Sequence, residues 1–215
     1  HPRVRRQRQM CIRDSYNAFK FENLSKEKSR ELLGKSMHEK ILLFFGFVRE
    51  YKGLRYLIEA MPEISRRIAD VKLMIVGDFG SEENKETYVS LIKEKNVEKF
   101  IDICDGYIPD RDIEKFFAAC DLVVLPYVDA TQSGIVQIAY GFEKPVVVTN
   151  VGGLPDVVED GKTGYVVEEE NSKQLAEAIR NYFDEKKEEK FITNVRNRAY
   201  CFSWDKIVEV IERLV

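Results

Sequence analysis

Between residues 41 and 167, short apolar runs of strand length alternate with longer stretches of helical spacing, and this alternation admits few folds. The first run, Ile41–Val48 (ILLFFGFV), is continuously apolar, the pattern of a strand covered on both faces. Leu54–Ile68 follows with apolar residues at Leu57, Ile58, Met61 and Ile64, the spacing of one helix face. The unit then recurs: Val71–Val76 with Glu82–Lys95, Phe100–Cys104 with Asp110–Ala119, Leu122–Leu125 with Ile135–Phe142, and Val146–Thr149 with a short turn at Leu154–Val158. Five such steps predict an α/β fold, a Rossmann-like parallel sheet with helices on both faces. Right-handed crossovers put the loops after the strands on one edge, where ligands of such folds bind. Tyr165–Val167 reads as a last short strand, with extra C-terminal helices over Ser172–Lys186 and Glu188–Val215. Upstream, Ser25 reads as the N-cap of a short helix with Glu27 in its first turn, stopping at Gly34.

The chain has 215 residues and a formal charge of -3 from 34 basic and 37 acidic side chains interspersed along it. No strong field therefore favours nucleic acid, and any anion site must be local. Cys11, Cys104, Cys120 and Cys201 lie far apart with no CxxC pair, which fits a reduced, cytoplasmic setting. No apolar run approaches the roughly 20 residues of a membrane helix. Residues 1–15 carry Arg3, Arg5, Arg6, Arg8 and Arg13 with no periodicity and are expected to be a disordered or non-native tail. Arg5–Ser15 (RRQRQMCIRDS) looks like a translated sequencing adapter, on which reading an upstream half is missing; the alternative is a basic tail touching acidic lipid or a partner. Residues 16–39 read as an inter-domain linker with a short helix, and 40–215 as one ligand-binding domain with its C-terminal helices.

Three loops carry candidate chemistry. The first, Gly46 to Gly53 (GFVREYKG), sets Arg49 and Lys52 beside a helix start. Unpaired helix N–H groups, a point charge on Lys52 and a forked donor on Arg49 suit a diphosphate, while Gly53 permits close backbone approach. The second, Pro126 to Gly134, is small and polar before the helix that opens at Ile135. Ser133 and Gly134 can present N–H groups to phosphate, and Thr131 and Gln132 can hydrogen-bond sugar hydroxyls, although Thr131 or Ser133 as a simple helix cap fits the spacing equally. The third, Asn150–Asp156 (NVGGLPD), is a turn that brings backbone close to another group or is merely a tight strand-to-helix connection. Gly106–Pro109 could hold a flat base against backbone. No Ser-His-Asp set, HExxH, Walker loop or GxGxxG is present, and the two histidines, His1 and His38, lie outside these loops. Asp129, Glu143 and Asp156 are available carboxylates whose default is a solvated or capping acid.

Taken in order, GFVREYKGLRYLIEA (Gly46–Ala60), LMIVGDFG (Leu73–Gly80), GYIPDRDIEKFFAACDLVVLPY (Gly106–Tyr127), SGIVQIAYGFEKPVVVTNVGGLPDVVEDGKTGYVV (Ser133–Val167) and FSW (Phe202–Trp204) resemble glycosyltransferase family 4 over about Lys40–Val215. The resemblance implies the C-terminal, donor-binding half of a GT-B fold and a retaining transferase that moves a hexosyl group from a nucleotide-sugar, UDP- or GDP-linked, to a glycan or lipid-linked acceptor. It implies that the donor diphosphate is bound at Arg49, Lys52, Gly53, Ser133, Gly134 and Ile135, the sugar at Thr131 and Gln132, and the base at Tyr107 and Ile108. It implies no cofactor and no obligatory metal, an acceptor site and several catalytic groups on an N-terminal domain, and a cytoplasmic enzyme with peripheral contact at the inner membrane face. No residue of this domain is assigned a catalytic role.

Two departures from the family pattern stand out. Phe47 occupies the place of an arginine that usually follows the first-strand glycine. Counting back from Pro145, the two positions of the family's Glu-x7-Glu motif fall on Ala130 and Ile138, and the resemblance to variant members with an ATQSG loop implies that Gln132 and Ser133 substitute. A non-catalytic nucleotide-sugar sensor or scaffold is the alternative reading, and an epimerase or phosphorylase half a more distant one.

Overall fold

A computed structural model describes residues 19–184, 187–201 and 212. Its elements in chain order are α1 (Lys26–Leu32), β1 (Lys40–Phe45), α2 (Leu54–Arg67), β2 (Val71–Gly77), α3 (Glu82–Glu94), β3 (Ile101–Asp105), α4 (Asp110–Ala119), β4 (Leu122–Leu125), α5 (Gly134–Gly141), β5 (Val146–Thr149), α6 (Leu154–Val157), β6 (Gly164–Val167), α7 (Ser172–Asp184) and α8 (Glu188–Cys201). All strand pairs are parallel, in the order β3-β2-β1-β4-β5-β6. The chain starts at the middle of the sheet, moves outward to β3, and returns to β4 on the other side of β1. Order reverses there, so the loops after β1 and β4 diverge and leave a crevice between them.

Period-two alternation divides the strand side chains between two cores. Leu42 and Phe44 of β1 pack with α2, α3 and α7 on one face, and Ile41, Leu43 and Phe45 with α4 and α5 on the other. Leu42 and Phe44 are fully buried, each contributing roughly 2 kcal/mol relative to exposure. The expected α/β fold is therefore the observed one. A single boundary differs in substance: β1 ends at Phe45 rather than Val48, because Gly46 adopts φ 108° and takes the chain out of extended geometry. The expected tail of residues 1–15, Lys186 at the end of α7, and the part of the last helix beyond Cys201, Glu212 apart, lie outside the described residues. Among the described residues no helix is long and apolar enough to cross a membrane.

The stretch from Phe19 to Glu39, expected as a linker, is fastened to the domain by two buried polar knots. Glu114 of α4, 1% exposed, accepts 2.8 Å hydrogen bonds from the backbone N–H groups of Phe21, Glu22 and Leu24. Burial pushes the Glu114 pKa up, but the backbone donors together outweigh it and hold the carboxyl below its usual value. Arg30 of α1, also 1% exposed, donates to the carbonyls of Ala119, Ser36, Met37 and Glu39 and to Asp121 Oδ2 at 2.9 Å. Asp121 also pairs with Lys26 at 2.6 Å and accepts from the first buried amide of β1, Ile41 N.

Candidate functional site

The site grows from the crevice between the loops after β1 and β4. Beyond Gly46 the chain makes a 3-10 turn, Glu50–Lys52, and enters α2 through Gly53 at φ 63°. A side chain at Gly53 would overlap the Pro126 carbonyl, so glycine is what lets the two loops touch. Val128 N donates to Tyr51 O at 2.7 Å and completes the clamp.

This clamp carries Lys52 inward. Lys52 is 9% exposed, and its Nζ lies 2.8 Å from where a Cβ on Gly46 would stand and 5.5 Å from the centroid of the Tyr127 ring. The ammonium has no hydrogen-bond or ion-pair partner among the described residues. Burial lowers its pKa below the ordinary lysine value. A buried cation without an anion is costly, and an incoming anion offsets that cost.

Across the crevice, Ser133 is the N-cap of α5, its Oγ accepting from Ile135 N at 3.3 Å and lying 3.4 Å from the Tyr127 hydroxyl. Burial pushes the Tyr127 phenol up to about 12, so it remains a neutral donor or acceptor near pH 7. The loop is held from behind by the double-glycine turn after β5. Gly153 N donates to Thr131 O at 2.9 Å, Thr149 Oγ1 donates to Tyr127 O, and Gly152 at φ 51° rests against the Ala130 carbonyl. The turn thus brings its backbone against that carbonyl, the first of the two readings its sequence left open.

A cavity of about 590 Å³ results, lined on one wall by Tyr51 and Lys52 and on the other by Tyr127, residues 129–135 and Ile138. The structure thus brings together Lys52, Thr131, Gln132, Ser133, Gly134 and Ile135. Gly53 holds the loops in register without lining the cavity. Ala130 and Ile138, the positions counted onto the Glu-x7-Glu motif, both line it, and Asp129 supplies its carboxylate. Glu143 is engaged by Arg196 in a two-point pair at 2.9 and 2.7 Å, away from the cavity.

Arg49 does not line this cavity. Val48 is buried and its amide donates to Asp78 O at 2.8 Å, which turns the Arg49 side chain toward the loop after β2. Its guanidinium stands beside Gly80 and over the Phe47 ring, 6.0 Å from the centroid. Tyr107 and Ile108 line a separate apolar slot of about 110 Å³ with Phe45, Gly46, Phe47, Gly77, Asp78, Gly106 and Ile113. Sequence reasoning missed Tyr127, Tyr51 and Phe47 as wall residues; all three lie in the loops it singled out, but an aromatic ring there carries no charge or glycine to mark it. Among the described residues no three His, Cys, Asp or Glu side chains converge as a metal site.

A family profile described as "Glycosyl transferases group 1" matches residues 25–198. The D-inositol 3-phosphate glycosyltransferase of Corynebacterium aurimucosum is 30% identical over 162 residues, 74% of this chain and 38% of that protein. Spore coat protein SA of Bacillus subtilis is 29% identical over 207 residues, 86% of this chain and 50% of that protein. Among solved structures, Anabaena HepE in complex with UDP-glucose superposes with TM-score 0.75 at 25% identity over 88% of this chain and 51% of HepE. The C-terminal domain of the group 1 glycosyl transferase LpcC from Francisella tularensis shares the fold at TM-score 0.71 and 21% identity, over 83% of this chain and 92% of that domain. The chain spans half or less of the length of these two curated relatives.

Proposed function

The chain belongs to the glycosyl transferases of group 1, and from that premise we propose that it is the donor-binding half of a retaining, family 4 glycosyltransferase of the GT-B type. The reaction is transfer of a hexosyl group from a UDP- or GDP-sugar to a glycan or lipid-linked acceptor, a step suited to polysaccharide biosynthesis. The observation that carries this reading is Lys52, a buried cation without a partner among the described residues, facing a polar cavity at the N-terminus of α5. HepE, solved with UDP-glucose, supports a nucleotide-sugar as the ligand.

In this proposal the diphosphate rests against Lys52 and the Gly134 and Ile135 amides at the start of α5. Thr131 and Gln132 hydrogen-bond the glycosyl group. As the glycosidic bond to the diphosphate lengthens, negative charge grows on the leaving phosphate oxygen, where a fixed cation and a helix terminus stabilise it more than in the ground state. No metal is obligatory in that step. The acceptor and the groups that activate it belong to an N-terminal domain, so the isolated chain binds better than it catalyses. The full enzyme would be cytoplasmic, touching the inner membrane face when its acceptor is a lipid.

Calorimetric titration of the chain with UDP and GDP tests the reading. Lys52→Ala should weaken nucleoside diphosphate binding about 10- to 100-fold, the size of one charge-assisted contact. Unchanged affinity would sink the assignment. A second reading, a non-catalytic nucleotide-sugar sensor, is favoured by Ala130 and Ile138, which put no carboxylate at either family position of the cavity wall. A transfer assay on a chain carrying the upstream domain separates the two: binding without turnover identifies the sensor.

A further inference from the structure

Three glycines stand side by side where β1, β2 and β3 end: Gly46 at φ 108°, Gly77 at φ 144° and Gly106 at φ 117°. Gly46 N donates to Val76 O at 2.9 Å and Gly106 N to Gly77 O at 3.2 Å, while a Cβ on Gly77 would overlap the Gly46 carbonyl. The three form a floor of bare backbone. Two of the largest exposed aromatic side chains rise from it, Phe47 at 55% and Tyr107 at 74% exposure. Such exposure of rings beside a concave apolar surface is the arrangement that stacks flat ligands.

The slot between them is lined as well by the buried side chains of Phe45 and Ile113. The backbone N–H and C=O groups of Tyr107 and Ile108 have no partner among the described residues, so a donor-acceptor edge stands open along one side. Gly46 belongs to the slot floor and also abuts Lys52 Nζ, so the slot and the polar cavity meet at one residue. Arg49 stands over the Phe47 ring without lining the slot and steadies that wall.

We infer that the slot selects a pyrimidine over a purine nucleoside diphosphate and that Phe47, with Tyr107, is its specificity-determining residue. This rests on the nucleotide-sugar reading of the neighbouring cavity and goes beyond the base contacts expected of Tyr107 and Ile108 alone. The slot volume of about 110 Å³ suits one six-membered ring. A purine carries a second fused ring and asks for more room than a slot of this size offers. A pyrimidine fits within it and offers adjacent donor and acceptor atoms to the Ile108 peptide. Phe47 offers the base a stacking face rather than a charge.

The test is calorimetry on the full chain with UDP, ADP, GDP and inorganic pyrophosphate, for the parent and for Phe47→Ala, Tyr107→Ala and Lys52→Ala. UDP should bind at least about 10-fold tighter than ADP or GDP, and Phe47→Ala should cost UDP about 10-fold, the size of one lost stack. Pyrophosphate binding should be unchanged in Phe47→Ala and Tyr107→Ala and lost in Lys52→Ala. Because Phe47 is exposed, its variant keeps the fold, and unchanged pyrophosphate binding verifies this. Equal affinity for the three nucleotides overturns the base selection while leaving the donor site standing, and a UDP preference untouched by Phe47→Ala overturns the role of Phe47. Failure of every nucleotide and of pyrophosphate to bind overturns the donor-site reading itself, and this inference with it.

Discussion

Gly152 sits against the carbonyl of Ala130 so closely that a methyl group on its α-carbon would overlap the oxygen. The turn after β5 thereby props the cavity wall from outside. Gly152→Ala should push the 129–133 loop toward Lys52 and lower both stability and ligand affinity. Gly161 is the control, since it has φ 69° with open space around its Cβ position. Alanine there should cost only the left-handed backbone penalty of about 1 kcal/mol. Urea midpoints and UDP titrations of both variants check the difference; equal behaviour would remove the buttress.

Lys52 couples binding to pH. Its folded pKa lies below the ordinary value of 10.5, so between the two the unfolded chain holds more protons and the fold gains stability as pH rises. Lys52→Met should therefore stabilise the unliganded chain at pH 7, by about 1 kcal/mol, while weakening nucleoside diphosphate binding about 10- to 100-fold. A bound diphosphate favours the charged form, so its affinity should fall as pH rises through the depressed pKa, where proton uptake shows as a buffer-dependent binding heat. Thermal melts of both forms read the first effect.

Breaking the Arg30–Asp121 pair should be severe. Arg30→Met leaves Asp121 buried with one cation fewer and should cost about 3–5 kcal/mol in chemical denaturation. Pairing it with Asp121→Asn should cost less than the sum of the singles, since each alone strands a charge.

Glu114 should make the docking of Phe19–Glu39 acid-sensitive. Its carboxyl pKa is depressed in the fold, so its stabilisation is fully present above the ordinary 4.5 and is lost as pH falls through the lower folded value. Glu114→Gln should cost about 2 kcal/mol at pH 7 and progressively less as pH falls through the depressed folded value. Hydrogen exchange at Phe21, Glu22 and Leu24 amides reports on the same contact locally.

The layout of the sheet was legible because its determinants are local. Asp110–Ala119, Leu122–Leu125 and Val146–Thr149 fall where the periodicity ends them. Lys52 and Thr131–Ile135 were legible for a related reason: the ends of parallel strands gather on one edge. The direction of Arg49 was not, since a single torsion at Gly46 and one hydrogen bond from Val48 decide it. Nor were the buried Arg30 and Glu114. The Glu114 donors and the Ala119 and Asp121 partners of Arg30 lie about 90 residues away, and a charged side chain in a helical stretch reads as solvated until the fold supplies its acceptors or donors.

Gly46 separates the aromatic slot from the polar cavity by the thickness of a peptide. A ligand gripped on both sides is yoked: once either end docks, the other searches a small volume at high effective concentration. In the proposed transfer, cleaving the glycosyl bond beyond the diphosphate leaves both grips intact. The spent nucleotide should then leave slowly, so that turnover is throttled by product release and the nucleoside diphosphate is a strong competitive inhibitor of its own sugar conjugate.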